Sequence, residues 1–576
     1  MRRVLVLWVG LVLAAGLAQA GALTPEVKAK VAQAWQPRLL VRVHLNSPQD
    51  IVALEDMALD FATLRVADHA EVVVTPGELA EIRRRGFRTE VIQREEDVLP
   101  IPPDYHTVDE TWVTLDSLHR LYPGITKLDT CGYSHRFRLP IPRFVISRNV
   151  GMREDEAAAL LTGMTHAREP IGNEICLYTI QWILRNYPDS ARARRYVDSM
   201  DLHFVPITNP EGFKYITDSS LVNPWWRKNL RDNANNGGPI DPNYDGVDLN
   251  RNYNWRWTSG GSTDPANWTY RGPSPASESE IQALVTLATQ RKYVVGISYH
   301  SYGYQILYPL SFSGRYAPDD ATLTEIAQNL GTQIGGYAPS RLGGSNQSSV
   351  WFYGQLGMYD FLIETARSFI PSPESIAIES QKNFRGLTYL LDRSFRSGVT
   401  GHVRDSLTLQ PLLATVEVTG LTGDSIVPRT SDSLYGRFYR LLRNGTYTMR
   451  FSKTGYIPKT ISNITTTSDS LTKLEVLLAR ISGAEGEERA GGSGQRIGAW
   501  PNPMREQCMI YAGPEQVLTL YDLTGSRVRR LTREAGKSAF HWDGKKASGE
   551  RVSSGVYFYR VEGESYKATQ RVVLLR

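Results

Sequence analysis

Two short segments of this chain carry residue types that suit a catalytic metal. Thr165-His166-Ala167-Arg168-Glu169 holds a His and a Glu three residues apart, and Ser298-Tyr299-His300-Ser301-Tyr302 adds an imidazole 131 residues after Glu169. Two imidazoles and a carboxylate commonly hold zinc in hydrolases, leaving a fourth position for water. One zinc ion on His166, Glu169 and His300 is therefore expected. A bare His-x-x-Glu also arises by chance, as a solvated helix face. His44, His69, His106, His119, His203, His402 and His541 stand in no comparable cluster.

Glu364 follows the apolar run Tyr359-Asp360-Phe361-Leu362-Ile363. A carboxylate in such a run needs a partner or a task. Burial raises its pKa and suits it to take a proton from an activated water and return it to a leaving amine. A buried ion pair with an Arg fits the residues alone equally well.

Further segments lie between these in order: Asn209-Pro210-Glu211-Gly212, Trp226-Arg227-Lys228 and Gly246-Val247-Asp248-Leu249-Asn250-Arg251-Asn252-Tyr253. With the metal segments and Glu364 they resemble the zinc metallocarboxypeptidase family, the pancreatic carboxypeptidases among them, over about residues 105–396. The resemblance implies peptide hydrolysis with Glu364 as general base and Arg227 facing the oxyanion. It places Asn250 and Arg251 on the substrate's terminal carboxylate and gives Arg168 an auxiliary binding role. Guanidinium suits that task because it grips a carboxylate through two parallel hydrogen bonds.

Two positions depart from the family pattern. Aligned on Trp351 and Glu364, the family's mobile tyrosine falls on Leu342, and Tyr337 fills the role only if the loop from Ala338 to Gly344 holds an insertion. The position that sets side-chain preference, a carboxylate in relatives that cut after basic residues, falls on Ser349. A neutral or broad preference is expected.

Positioning these residues calls for an α/β fold, a mixed sheet flanked by helices, over 105–396. Runs such as Phe144-Val145-Ile146 and Val294-Val295-Gly296-Ile297 supply strands between helical patterns. Residues 21–104 read as a small α+β prodomain-like unit and connector. Strands are expected at 39–43 and 72–74 and a helix from Pro76 to Arg85, and a zymogen and a permanent accessory domain are equally compatible. Short alternating strands after Ser397 predict a β-sandwich over 397–480, then a linker over 481–495 rich in Gly, Glu and Ser. A second β-sandwich over 496–576 resembles C-terminal sorting domains of the type IX secretion route, and flagellar-hook-capping Ig-like modules as well.

At 576 residues the chain is long enough for several domains. A net charge of +5 gives no reason to expect nucleic acid or an anionic membrane as partner. Arg2 and Arg3, the apolar stretch Val4 to Leu17 and Ala18-Gln19-Ala20 read as a signal peptide over 1–20, with no spanning segment in the mature chain. Three cysteines, Cys131, Cys176 and Cys508, allow at most one disulfide. The expected protein is a secreted or cell-surface zinc carboxypeptidase that acts on peptide C-termini and meets the secretion machinery through its C-terminal domain. A hydrolase of peptidoglycan stem peptides and a non-catalytic surface adhesin are the alternatives.

Overall fold

The computed structural model describes residues 37–66, 68–218, 224–235, 237–312, 315–343, 346–423, 426–481, 497–500, 504, 506–512, 517–523, 525–533, 539–562 and 569–574. The signal peptide, nearly all of the 481–495 linker and Pro501 to Pro503 lie outside them. The chain divides into two compact units, Met1–Ala479 and Arg480–Arg576. Among the described residues no helix is long and apolar enough to cross a membrane. All three cysteines are free.

In the first unit, β1 (Leu39–His44), β2 (Asp60–Val66), β3 (His69–Val74) and β4 (Thr89–Arg94) form a sheet in the order β2-β3-β1-β4. Strand alternation gives this sheet two apolar faces. Val41, Val43, Val72 and Val74 pack with Leu79 and Ile82 of the helix Pro76–Arg84. That helix starts at a Thr75/Glu78 capping box, with Pro76 in its first turn, where no backbone N–H is needed. Leu40, Ala62 and Val73 point the other way and share a cluster with Trp225, Trp268, Tyr302 and Phe369.

The catalytic sheet contains β5 (Thr126–Tyr133), β6 (Pro140–Ile146), β7 (Ala157–Thr162), β8 (Met200–Val205), β9 (Val295–Ser301), β10 (Gln305–Phe312), β11 (Arg315–Tyr316), β12 (Ala338–Gly343) and β13 (Tyr359–Thr365). Their order is β11-β10-β13-β9-β7-β8-β6-β5, with β12 paired to β10. The inner pairs β13/β9, β9/β7 and β7/β8 are parallel, whereas β10/β13, β6/β8 and β5/β6 are antiparallel. β7 and β9 are buried along their whole length, which is why they read as continuous apolar or small-residue runs. The helices Ile171–Asn186, Asp320–Ile334 and Pro373–Arg393 contribute Ile175, Ile180, Leu323, Leu330, Leu387 and Leu391 to the main core.

Two three-stranded sheets follow, β16-β14-β19 and β15-β17-β18, where β14 is Gly398–Asp405, β15 Thr415–Val418, β16 Arg437–Leu441, β17 Gly445–Ser452, β18 Lys459–Thr466 and β19 Leu471–Leu478. One cluster, including Val399, Val403, Phe438, Val416, Met449 and Phe451, draws on both sheets. Leu441 joins the catalytic core, and Arg440 pairs with buried Asp319 at 2.9 Å. These strands therefore brace the catalytic sheet. The second unit holds a three-stranded and a four-stranded sheet around Ile510, Leu518, Leu520, Phe540, Trp542 and Tyr559.

Candidate active site

Open α/β sheets bind ligands beyond the carboxyl ends of their parallel strands. Here those ends carry the chemistry. The loop after β7 carries His166 and Glu169 just before the helix Ile171–Asn186, His300 is the penultimate residue of β9, and Glu364 stands opposite His300 in the β13/β9 register.

His166, Glu169 and His300 are all buried and bring one ligand atom each within 4.8 Å of one another. The Nδ1 atoms of His166 and His300 stand 3.1 Å apart, and the two oxygens of Glu169 lie 2.8 Å from each. Ligands about 2.0–2.1 Å from a tetrahedral zinc stand roughly 3.3 Å from one another, so the spacing fits zinc. Glu169 Oε2, although 2.8 Å from His300 Nδ1, makes no hydrogen bond among the described residues. Burial opposes ionisation of Glu169, but the charges of His166 and His300 hold its carboxyl well below the usual range.

Asp248 organises the next layer. Its Oδ1 lies 3.2 Å from His166 Nε2, which places the proton there and leaves Nδ1 for a metal. Its Oδ2 accepts from Arg227 Nε at 3.0 Å and Nη2 at 2.9 Å. Arg227 is thus fixed with Nη1 3.9 Å from Glu169 Oε1. Asn250 donates its backbone N–H to Asp248 Oδ1, and its side-chain oxygen accepts from Ser348 N, each at 2.8–2.9 Å.

Glu364, Arg227, Asn250 and Arg251 line one cavity of about 270 Å³ with His166 and Glu169. Burial, aided by the charge of Glu169, pushes the Glu364 carboxyl well above its usual range, and Arg227, Arg168 and Arg251 oppose this. Its Oε2 has no hydrogen-bond partner among the described residues.

The N-terminal unit closes this cavity. Glu55, Asp56, Ala58, Leu59, Phe61 and Ala62 line it, and Asp60 reaches the arginines. Asp60 Oδ1 accepts from Arg168 Nη2 at 2.9 Å and Oδ2 lies 2.8 Å from Nη1, with Arg227 Nη1 3.4 Å from Oδ1. Arg168 is fully buried, with Phe369 stacked 3.9 Å beneath its guanidinium. Burial acts against the Asp60 charge, yet Arg168 and Arg227 lower its pKa below the ordinary value.

Two expected positions are not brought here. Tyr337 is buried against Tyr304, and its hydroxyl donates to Glu379 Oε2 at 2.8 Å, so it does not serve as the mobile tyrosine in this arrangement. Leu342, the ungapped position, lines the cavity instead. Ser349 does not line it either, because its hydroxyl turns to Asp360. Sequence reasoning missed Asp60, which no motif marks, and the role of Asp248, which stands inside a quoted segment. A second grouping, His135, Glu278 and Glu280, also lay unnoticed. Arg231 and Asn229 already hold Glu278 there, at 3.0 and 2.8 Å.

Residues 112–386 match the model of the zinc carboxypeptidase family, and 512–567 that of the FlgD Ig-like domain. The first region is therefore similar to the zinc carboxypeptidases. Carboxypeptidase A1 of Rattus norvegicus is 27% identical over 308 residues, covering 51% of this chain and 70% of that protein. Metallocarboxypeptidase A of Trichophyton rubrum is 30% identical over 230 residues, 39% of this chain and 52% of that protein. The crystal structure of carboxypeptidase A from Helicoverpa armigera shares the fold at 18% identity and a TM-score of 0.53, covering 62% of this chain and 98% of the other. The catalytic region is that of a metallocarboxypeptidase, a family that works with zinc.

The donor set of His166, Glu169 and His300 fits that ion. A ligand that binds only the folded state at 100 times its Kd stabilises by about 2.7 kcal/mol. Zinc is therefore expected to raise Tm by several degrees in calorimetry, with one ion per chain by elemental analysis. His300→Ala should lose both effects, and a variant that keeps its zinc would remove His300 from the ligand set.

Proposed function

We propose that the protein removes single residues from peptide C-termini as a metal-dependent exopeptidase. The observation that carries this reading is the shared cavity. His166 and Glu169, the Glu364 carboxylate and two guanidinium groups open onto the same space.

Bound zinc supplies a Lewis acid and lowers the pKa of its water toward ~7. Glu364 takes the proton of the attacking water at Oε2 and hands it to the departing amine. Arg227, held by Asp248, offers its charge where the oxyanion develops, commonly worth about 3–4 kcal/mol of barrier. Arg251 and Asn250 hold the terminal carboxylate, with Arg168 guiding it in. Fixing that carboxylate positions the last peptide bond over Glu364.

The reading extends to a zymogen. Asp60 occupies the guanidinium pair Arg168 and Arg227, so the N-terminal unit presents a carboxylate of its own where a substrate's would enter. The exposed residues Glu96, Asp97, Leu99 and Pro100 offer a site for cutting this unit away. We assign the N-terminal 20 residues to export and the Ig-like C-terminal region to sorting or anchoring outside the cytoplasm.

A peptide library, half with free and half with amidated C-termini, tests the activity by mass spectrometry. Stepwise shortening of the free half alone is expected once the N-terminal unit has been cut off and removed. Internal cleavage, or equal trimming of amides, would reject the exopeptidase.

A further inference from the structure

A second cavity, of about 360 Å³, opens where two helices of the catalytic region meet turns of the following β-sandwich. It shares no lining residue with the catalytic cavity. The helix Asp320–Ile334 brings Glu325 to it, and the last turns of the helix Pro373–Arg393 bring Tyr389 and Arg393. Arg396 follows that helix, and the turn between β16 and β17 adds Arg443 and Asn444. The charged lining is thus three guanidinium groups and one carboxylate, an excess of two positive charges.

Arg393 is 3% exposed, and its hydrogen bonds go to neutral groups. Its Nη1 donates to the Arg396 carbonyl at 2.7 Å and to that of Ser397, and Nη2 donates to that of Leu442 at 2.8 Å. Its Nε is buried and makes no hydrogen bond among the described residues. The one carboxylate is shared, with Glu325 Oε1 3.9 Å from Arg393 Nη2 and Oε2 3.3 Å from Arg443 Nε. Arg396 is half-buried, and its guanidinium has no ion-pair partner among the described residues. The carbonyls that end a helix favour a cation in its last turn, which accounts for Arg393. Arg396 and Arg443 lie beyond that turn and are left without such a reason.

A buried cation that is paired only in part is costly, and an anion entering among these groups removes that cost. Guanidinium meets phosphate oxygens through parallel N–H donors. A phosphate ester carries about −1.5 to −2 at pH 7, which matches the excess. The cavity, at about 360 Å³, falls in the ~300–1,000 Å³ range of small-molecule sites, so it has room beyond one oxyanion. Tyr389 and Asn444 set a ring and a neutral amide beside the charges. We propose that this cavity binds the phosphate of a sugar phosphate, free or at the end of a glycan. The bound phosphate ties Arg393 and Arg396 of the catalytic region to Arg443 of the sandwich.

Calorimetric titration of the zinc-loaded, uncut chain with glucose 6-phosphate, inorganic phosphate and glucose tests this. In that chain Asp60 occupies Arg168 and Arg227, and a fixed ionic strength holds screening constant. Glucose 6-phosphate is expected to bind at one site per chain, and glucose to give no heat. Arg396→Gln should weaken binding at least tenfold while leaving the ligand-free Tm unchanged, since that guanidinium has no ion pair to lose. Glu325→Gln should tighten it, because the competing carboxylate is gone. Inorganic phosphate binding as tightly as the ester overturns the sugar part of the assignment. No binding of either anion, or equal affinity in Arg396→Gln, overturns the site itself.

Discussion

Glu364→Gln is expected to lower kcat by about 10³-fold, inside the 10²–10⁴ range of general acid–base groups and equal to about 4 kcal/mol of barrier. The amide keeps the shape and the place beside His300 but cannot accept the proton. Zinc content should stay at one per chain, because the proposed ligand atoms belong to His166, Glu169 and His300. Rapid-quench assays on peptide, paired with metal analysis, read both quantities. A variant with full turnover would remove Glu364 as the base, and one that loses its zinc would give it a structural task instead.

The second large effect concerns Asp60. Removing one member of a buried charge pair is typically worth about 3–5 kcal/mol. Asp60→Asn is therefore expected to raise the peptidase rate of the uncut chain by roughly tenfold or more, since about 1.4 kcal/mol is a factor of ten. The control is internal: once the N-terminal unit has been cut away and removed, residue 60 is gone and the two proteins should match. Unequal rates at that stage would mean that the substitution disturbed folding rather than the latch. The pH dependence follows from the lowered pKa of Asp60. A group whose folded pKa is depressed stabilises above its unfolded value and loses that stabilisation as pH falls through the folded one. The latch is thus expected to hold from neutral pH down to about the ordinary Asp value of 3.8 and to loosen only below it. Activity appearing at pH 5 without cleavage would contradict this.

That His166, Glu169, His300 and Glu364 come together was legible in the sequence because they sit in short contiguous segments whose spacing the chemistry restricts. The mixed sheet was legible for a related reason: strands buried on both faces read as apolar runs. Relations across long separations were not. Asp60 and Arg168 lie 108 residues apart, and neither neighbourhood announces the other. Ser349 was placed by alignment, which gives a position along the chain but not the direction of its hydroxyl. That direction depends on the Asp360 carboxyl, and the space for Asp360 depends on Gly296 in another strand. Tyr337 was a candidate only through an insertion in the loop from Ala338 to Gly344, and Glu379 on the helix Pro373–Arg393 claims its hydroxyl.

The apolar seam between the N-terminal sheet and the catalytic region bears on how activation would proceed in time. Leu40, Ala62 and Val73 shelter Trp225, Trp268, Tyr302 and Phe369 from water, and Tyr302 and Thr269 add hydrogen bonds to Glu71 and to the Ala58 carbonyl. None of these contacts depends on an intact connector. A severed N-terminal unit would therefore stay seated as a non-covalent inhibitor, and cutting and switching on become separate events. Onset of activity would follow dissociation, slow in concentrated solution and fast on dilution, and the freed aromatic rim would then meet the peptide upstream of the bond being cut.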